Sequence, residues 1–110
     1  MSLTVTSQIT DGVARITLSG RLDANTAPQL KTEIEKCVTQ KPQTVALFLA
    51  DLEYMASAGI RMLVFAKQKL GAAADIYVVA AQPAIVHTLE MTGVDKSVIF
   101  VEDFDAALTR

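Results

Sequence analysis

The sequence predicts an α/β domain, a mixed but mostly parallel sheet of about five strands with an N-terminal hairpin and four helices. Three observations predict it. Short apolar runs at residues 45–50, 75–81 and 98–101 alternate with stretches of helical period. The first of these runs, Val45-Ala46-Leu47-Phe48-Leu49-Ala50, has no polar alternation, as expected of a strand covered on both faces. Upstream, two β-rich runs meet at Asp11-Gly12, a dipeptide suited to a tight hairpin.

The elements follow in order. Leu3, Val5, Ser7 and Ile9 alternate with Thr4, Thr6 and Gln8, and the turn leads into a second strand over residues 13–19. Gly20-Arg21-Leu22-Asp23 reads as a loop. Thr26-Ala27-Pro28-Gln29 then has the form of a capping box with proline in the first turn, opening a helix that runs to about Thr39. Leu30, Ile34, Cys37 and Val38 form its apolar stripe, with Lys31, Glu35 and Lys36 facing water. Cys37 is thus expected to be a packed thiol. Lys41-Pro42 ends the helix, and residues 45–50 form a central parallel strand.

Residues 51–60, Asp51-Leu52-Glu53-Tyr54-Met55-Ala56-Ser57-Ala58-Gly59-Ile60, leave that strand, turn, and open a helix over residues 58–70. Gly71 stops this helix, and Lys67 and Lys69 suit the negative pole of its last turn. A strand over residues 75–81, a helix over 83–92 stopped by Gly93, a strand over 98–101 and a short helix capped by Asp103 complete the chain. Ligand sites in such sheets lie at the carboxyl ends of parallel strands, where Asp23 and Ser57 both fall.

Composition narrows the function. The 110 residues suit one domain, residues 1–110, and 51% of them are apolar. Mean hydropathy is +0.34, so no disordered tail is expected. A net charge of −2 and a pI near 5.2 argue against a nucleic-acid surface. One cysteine cannot form an internal disulfide, and Met-Ser-Leu-Thr lacks the basic and apolar regions of a secretion signal, so a cytoplasmic location is expected. No apolar run approaches the roughly 20 residues needed to span a bilayer. One Cys and one His cannot close a zinc site, no calcium loop spacing or phosphate-cradling glycine loop is present, and no metal or cofactor is expected.

Ser57 carries the remaining interest. A hydroxyl at a helix start can cap free N–H groups, or it can carry phosphate. For nucleophilic catalysis it would need a base, and His87, the single histidine, sits inside a later helix. Met55-Ala56-Ser57-Ala58-Gly59 also lacks the first glycine of a nucleophile elbow, so a small esterase is a weak reading. On the following helix Ile60, Leu63 and Val64 fall on one face, opposite Met62, Phe65 and Lys69. Met62 and Phe65 are either covered by a neighbouring element or exposed together as a partner site, and a phosphate of roughly −2 charge on Ser57 would raise the cost of covering such a surface.

Tyr54-Met55-Ala56-Ser57-Ala58-Gly59-Ile60-Arg61-Met62-Leu63 resembles the signature of STAS domains, specifically the bacterial anti-sigma factor antagonists. Gly20-Arg21-Leu22-Asp23-Ala24-Asn25-Thr26-Ala27 resembles the family's first loop and helix start. Leu89-Glu90-Met91-Thr92-Gly93-Val94-Asp95-Lys96 resembles its late helix and the turn beyond. The resemblance covers almost the whole chain in order. It implies the STAS fold and a protein-binding regulator rather than an enzyme, one that captures an anti-sigma factor with a histidine-kinase-like ATPase fold and thereby frees a sigma factor. It further implies phosphorylation of Ser57 by that partner, reversal by a PP2C-type phosphatase, and a place beside the serine for Asp23. Contact residues implied or read from the helix face are Asp23, Thr26, Ala56, Ala58, Gly59, Arg61, Met62 and Phe65, in a monomer or weak dimer. Two positions depart from the pattern: Ala56 replaces an aspartate common in relatives, and Phe48 replaces a polar or acidic residue. The alternative that Ala56 motivates is an unphosphorylated STAS scaffold subunit of a signalling or lipid-transport assembly.

Overall fold

A computed structural model describes residues 3–108. In chain order these form β1 (Leu3–Thr10), β2 (Val13–Leu22), α1 (Ala27–Val38), β3 (Thr44–Met55), α2 (Ser57–Leu70), β4 (Asp75–Val79), α3 (Pro83–Thr92), a 3-10 turn (Val94–Ser97), β5 (Ile99–Val101) and α4 (Phe104–Leu108). The five strands lie side by side in sequence order, β1 antiparallel to β2 and every later neighbour parallel. Asp11 (φ 54°) and Gly12 (φ 78°) both adopt the left-handed conformation that lets a two-residue turn match the twist of the hairpin it joins.

The largest departure from the sequence reading is the length of the two central strands. Residues 20–22 continue β2, and residues 51–55 continue β3. Two bulges hid this. Thr17 pairs with Phe48 and Ser19 with Asp51, so β3 carries one extra residue there, and Gly20–Leu52 followed by Arg21–Tyr54 marks a second. The β3 positions buried in the core beneath the helices accordingly run Val45, Leu47, Leu49, then Leu52 and Met55, while Ala46 is buried with Phe104 on the other face. An alternation that skips twice does not read as a strand. Past Phe48–Val79, the last pair of the β3–β4 ladder, the Ala50 carbonyl accepts a hydrogen bond from Gln82 Nε2 at 3.1 Å.

One face of the sheet carries α1, α2 and α3 over a core that includes Ile16, Leu18, Leu22, Leu30, Ile34, Leu47, Leu52, Leu63 and Leu89. Cys37 is buried in it as expected, and burial pushes its thiol pKa up. On the opposite face α4 drops Phe104 edge-on against Phe48 (5.9 Å) and Tyr77 (5.2 Å). Phe48 therefore packs the second face of the sheet. Arg15 lies 5.0 Å from the Phe104 ring centre and pairs with Asp105 at 3.1 Å, and the Asp103 side chain accepts from the Ala106 N–H as the expected cap.

Other boundaries shift for local reasons. β4 stops at Val79 rather than residue 81 because Ala80 turns left-handed (φ 55°), its N–H reaching the Val101 carbonyl. β5 starts one residue late, after Val98 donates back to Asp95 across the 3-10 turn. In α2 the inward stripe is Gly59, Ile60, Leu63 and Ala66, while Val64 is 42% exposed, contrary to the face assigned from sequence. Two small residues let α2 lie close to the sheet, and that close approach fixes its rotation more strongly than the position of one valine.

Gly59 is the tightest point. A Cβ added there would sit 2.6 Å from Leu22 Cδ2, 2.7 Å from Leu22 Cγ and 3.0 Å from Met55 Cγ. Gly59→Ala is expected to lower stability by about 1–3 kcal/mol through overpacking, measured as a fall in the urea midpoint. Pairing it with Leu22→Ala should cost less than the sum of the two single changes, because the methyl then fills the space that leucine left.

Candidate functional site

The site grows from the ends of β2 and β3. Leu22 and Met55 are register partners, and the next residue, Ala56, donates its N–H to the Leu22 carbonyl at 2.8 Å. Ala56 is extended (φ −89°, ψ 174°) and occupies the N-cap, its carbonyl accepting from Gly59 (2.9 Å) and Ile60 (3.3 Å). Ser57 is thus the first residue within α2, not its cap. Its side chain is exposed, and no hydrogen bond to its hydroxyl is found among the described residues. The capping use of Ser57 does not hold in this structure.

Asp23 and Thr26 have a different occupation. Asp23 Oδ1 accepts from the backbone N–H groups of Asn25 (2.9 Å) and Thr26 (3.1 Å). Thr26 Oγ1 accepts from the Asp23 N–H (2.9 Å) and donates to the Arg21 carbonyl (2.8 Å). Thr26 is only 8% exposed. With its hydroxyl taken up by the preceding turn, Thr26 sits at the N-cap of α1 without a side-chain cap bond, and the capping box read from sequence does not form. The Asp23 carboxylate closes its own loop, which sets the start of α1 beside the start of α2. Desolvation alone would raise its pKa, but the hydrogen bonds from Thr26 and Asn25 outweigh it and hold the group below its ordinary value.

Between the two helix starts lies a shallow groove of about 300 Å³, lined by Ala24, Ala27, Pro28, Lys31, Ala58, Arg61 and Met62. Met62 is half-buried and Arg61 exposed. Phe65, one turn along α2 and also half-buried, has the Lys31 ammonium 5.5 Å and the Lys69 ammonium 5.6 Å from its ring centre. Met62 and Phe65 therefore stand between the two outcomes weighed from sequence, packed against the core at their bases and open at their outer edges. Gly59 is buried beneath this surface rather than part of it.

Sequence reasoning missed one pair. The Arg21 guanidinium stacks 4.2 Å from the Tyr54 ring centre, and Tyr54 is 41% exposed. The two are cross-strand partners only because of the second bulge, so no sequence spacing announces them. His87 lies exposed on α3, and no cluster of three or more metal-ligating side chains occurs among the described residues. No described helix is long and apolar enough to cross a membrane.

The STAS domain family model matches residues 4–107. The chain belongs to the STAS domain family. This STAS domain is 29% identical over 108 residues to the anti-sigma-F factor antagonist RsfB of Mycobacterium tuberculosis, covering 98% of this chain and 88% of that one. A crystal structure of an anti-sigma factor antagonist from Mycobacterium paratuberculosis superposes with a TM-score of 0.87 at 33% identity, over 98% of this chain and 92% of that one. The Bacillus cell fate determinant SpoIIAA in its phosphorylated form shares the fold, with a TM-score of 0.73 at 19% identity over 94% of this chain and 96% of that one.

A group whose pKa is lowered on folding stabilises the fold above its ordinary value, and that contribution fades as pH falls through the folded value. Asp23→Asn should therefore be less stable than the native STAS domain at neutral pH. The gap between their urea midpoints should narrow as pH falls below 3.8, the ordinary value for this carboxyl.

Proposed function

We propose that this STAS domain is an anti-sigma factor antagonist, a protein-binding regulator that captures an anti-sigma factor through the face around Ser57 and is released by phosphorylation of that serine. The observation that carries the reading is the Ser57 hydroxyl: exposed, without a hydrogen-bond partner among the described residues, and set at the first position of α2 beside Ala58, Arg61 and Met62. The named function of the mycobacterial relatives supports the same reading.

The switch follows from charge. An unmodified serine leaves a neutral surface whose apolar parts a partner can cover. A phosphate adds roughly −2 charge at a helix N-terminus, where the domain itself tolerates it, so the penalty falls on the complex. Refolding is unnecessary. In this reading the partner has a histidine-kinase-like ATPase fold, phosphorylates Ser57 and loses its grip, and a PP2C-type phosphatase restores binding. The domain supplies surface and an acceptor hydroxyl, with no catalytic group of its own.

Ala56 favours a second reading. As the N-cap it presents a methyl where a carboxylate could orient the serine hydroxyl, which fits an unphosphorylated scaffold subunit. Incubation with ATP and a kinase-fold anti-sigma factor, followed by mass spectrometry, separates the two: phosphate on Ser57 is expected, and its absence favours the scaffold. Capture of that anti-sigma factor should be retained by Ser57→Ala and weakened by Ser57→Asp. Equal capture by both variants and the native chain would remove the switch.

A further inference from the structure

The groove between the starts of α1 and α2 carries a charge opposite to that of the chain as a whole, and this specifies what covers it. Its floor is apolar, made of Ala24, Ala27, Ala58, Pro28 and Met62, and its two charged lining residues, Lys31 and Arg61, are both basic and exposed. Lys69, two turns along α2 from Arg61 and outside the groove itself, has its ammonium 5.6 Å from the Phe65 ring centre. None of these three cations forms an ion pair among the described residues, where the ion pairs are Arg15–Asp105 and Lys36–Glu33. No acidic residue occupies the first turn of α1 or of α2. The Asp23 carboxylate, next to Ala24, commits one oxygen to its own loop and keeps its charge, one anion against the two cations of the groove. In a chain of net charge −2, an apolar groove lined by two cations that form no ion pair among the described residues, with Lys69 beyond Phe65, is a local reversal of sign.

We infer that this groove receives an acidic amphipathic segment of the partner protein, with an apolar side chain seated over Ala27, Ala58 and Met62 and carboxylates set toward Lys31 and Arg61. The inference rests on the proposed binding role of the Ser57 face and adds the chemistry of what binds there. Charge complementarity of this kind fixes the register of a partner and speeds encounter, while the apolar anchor supplies affinity. It also explains the sign of the switch. Ser57 lies one helical turn before Arg61, so a phosphate there draws on the same cation that the partner's carboxylates require and repels those carboxylates directly.

The test uses the isotope-labelled full chain and a synthetic helical peptide carrying Leu on one face and Glu on the other. Two control peptides replace every Glu by Lys, or every Leu by Ser. The Glu–Leu peptide is expected to shift the backbone amide signals of Ala24, Lys31, Ala58, Arg61 and Met62, and to bind more weakly as salt is raised. Lys31→Glu and Arg61→Glu together should weaken it about tenfold or more, with circular dichroism checking that the variant folds. Equal binding of the Lys peptide, shifts confined to another face, insensitivity to the double reversal, or no shift at millimolar peptide would each overturn the inference. So would phosphatidylserine vesicles binding more strongly than the peptide with the same loss on reversal, since the groove would then serve a lipid surface. If the native chain captures an anti-sigma factor and the double reversal leaves that capture unchanged, this inference falls alone. If no capture occurs, the proposed function falls and the peptide result still decides the chemistry of the groove.

Discussion

The position of the site depends on one close approach, that of the first turn of α2 to the ends of β2 and β3. A single backbone hydrogen bond, from Ala56 to the Leu22 carbonyl, ties the strand end to the helix start. Gly59 then lets the helix settle against Leu22 and Met55, with no room for even one more carbon. This contact buries Gly59 and Ile60 and turns Ser57 outward. Exposure of the serine is thus a result of packing beneath it.

The two faces of the sheet divide the work. Three helices and most large aliphatic side chains lie on one. On the other, α4 is held mainly by the burial of Phe104, since the exposed Arg15–Asp105 pair adds little on its own. All of the groove's lining comes from the helical face and its leading loop. The Arg21–Tyr54 stack lies just behind the Leu22–Met55 pair that begins the site, on the adjoining strand surface.

Much of the fold was legible because its signals are local. The Asp11-Gly12 turn, Pro83 and Gly93 around α3, Gly71 after α2 and the stripe of α1 each carry their own stereochemical cause. The signature around Ser57 and the segments near Asp23 and Leu89 led to the family, which the match over residues 4–107 bears out. What stayed illegible required a partner strand or a neighbouring helix. Bulges break the alternation that identifies a strand, so residues 51–55 read as a turn. The rotation of α2 follows Gly59 and Ala66, small residues that a count of apolar side chains undervalues. Thr26 has the letters of a capping box, yet its hydroxyl finds the Arg21 carbonyl instead, a choice made by the loop's shape.

The bulges of β3 also act as a vernier. A regular strand delivers its last residue to one side of the sheet or the other, with nothing between, because its period is two. Two inserted residues let β3 keep Leu52 and Met55 inward while adjusting, in half-period steps, the angle at which the backbone enters α2. The path by which the chain reaches Ser57 is therefore set in part by the strand ahead of it, before the packing of Gly59 turns the serine outward.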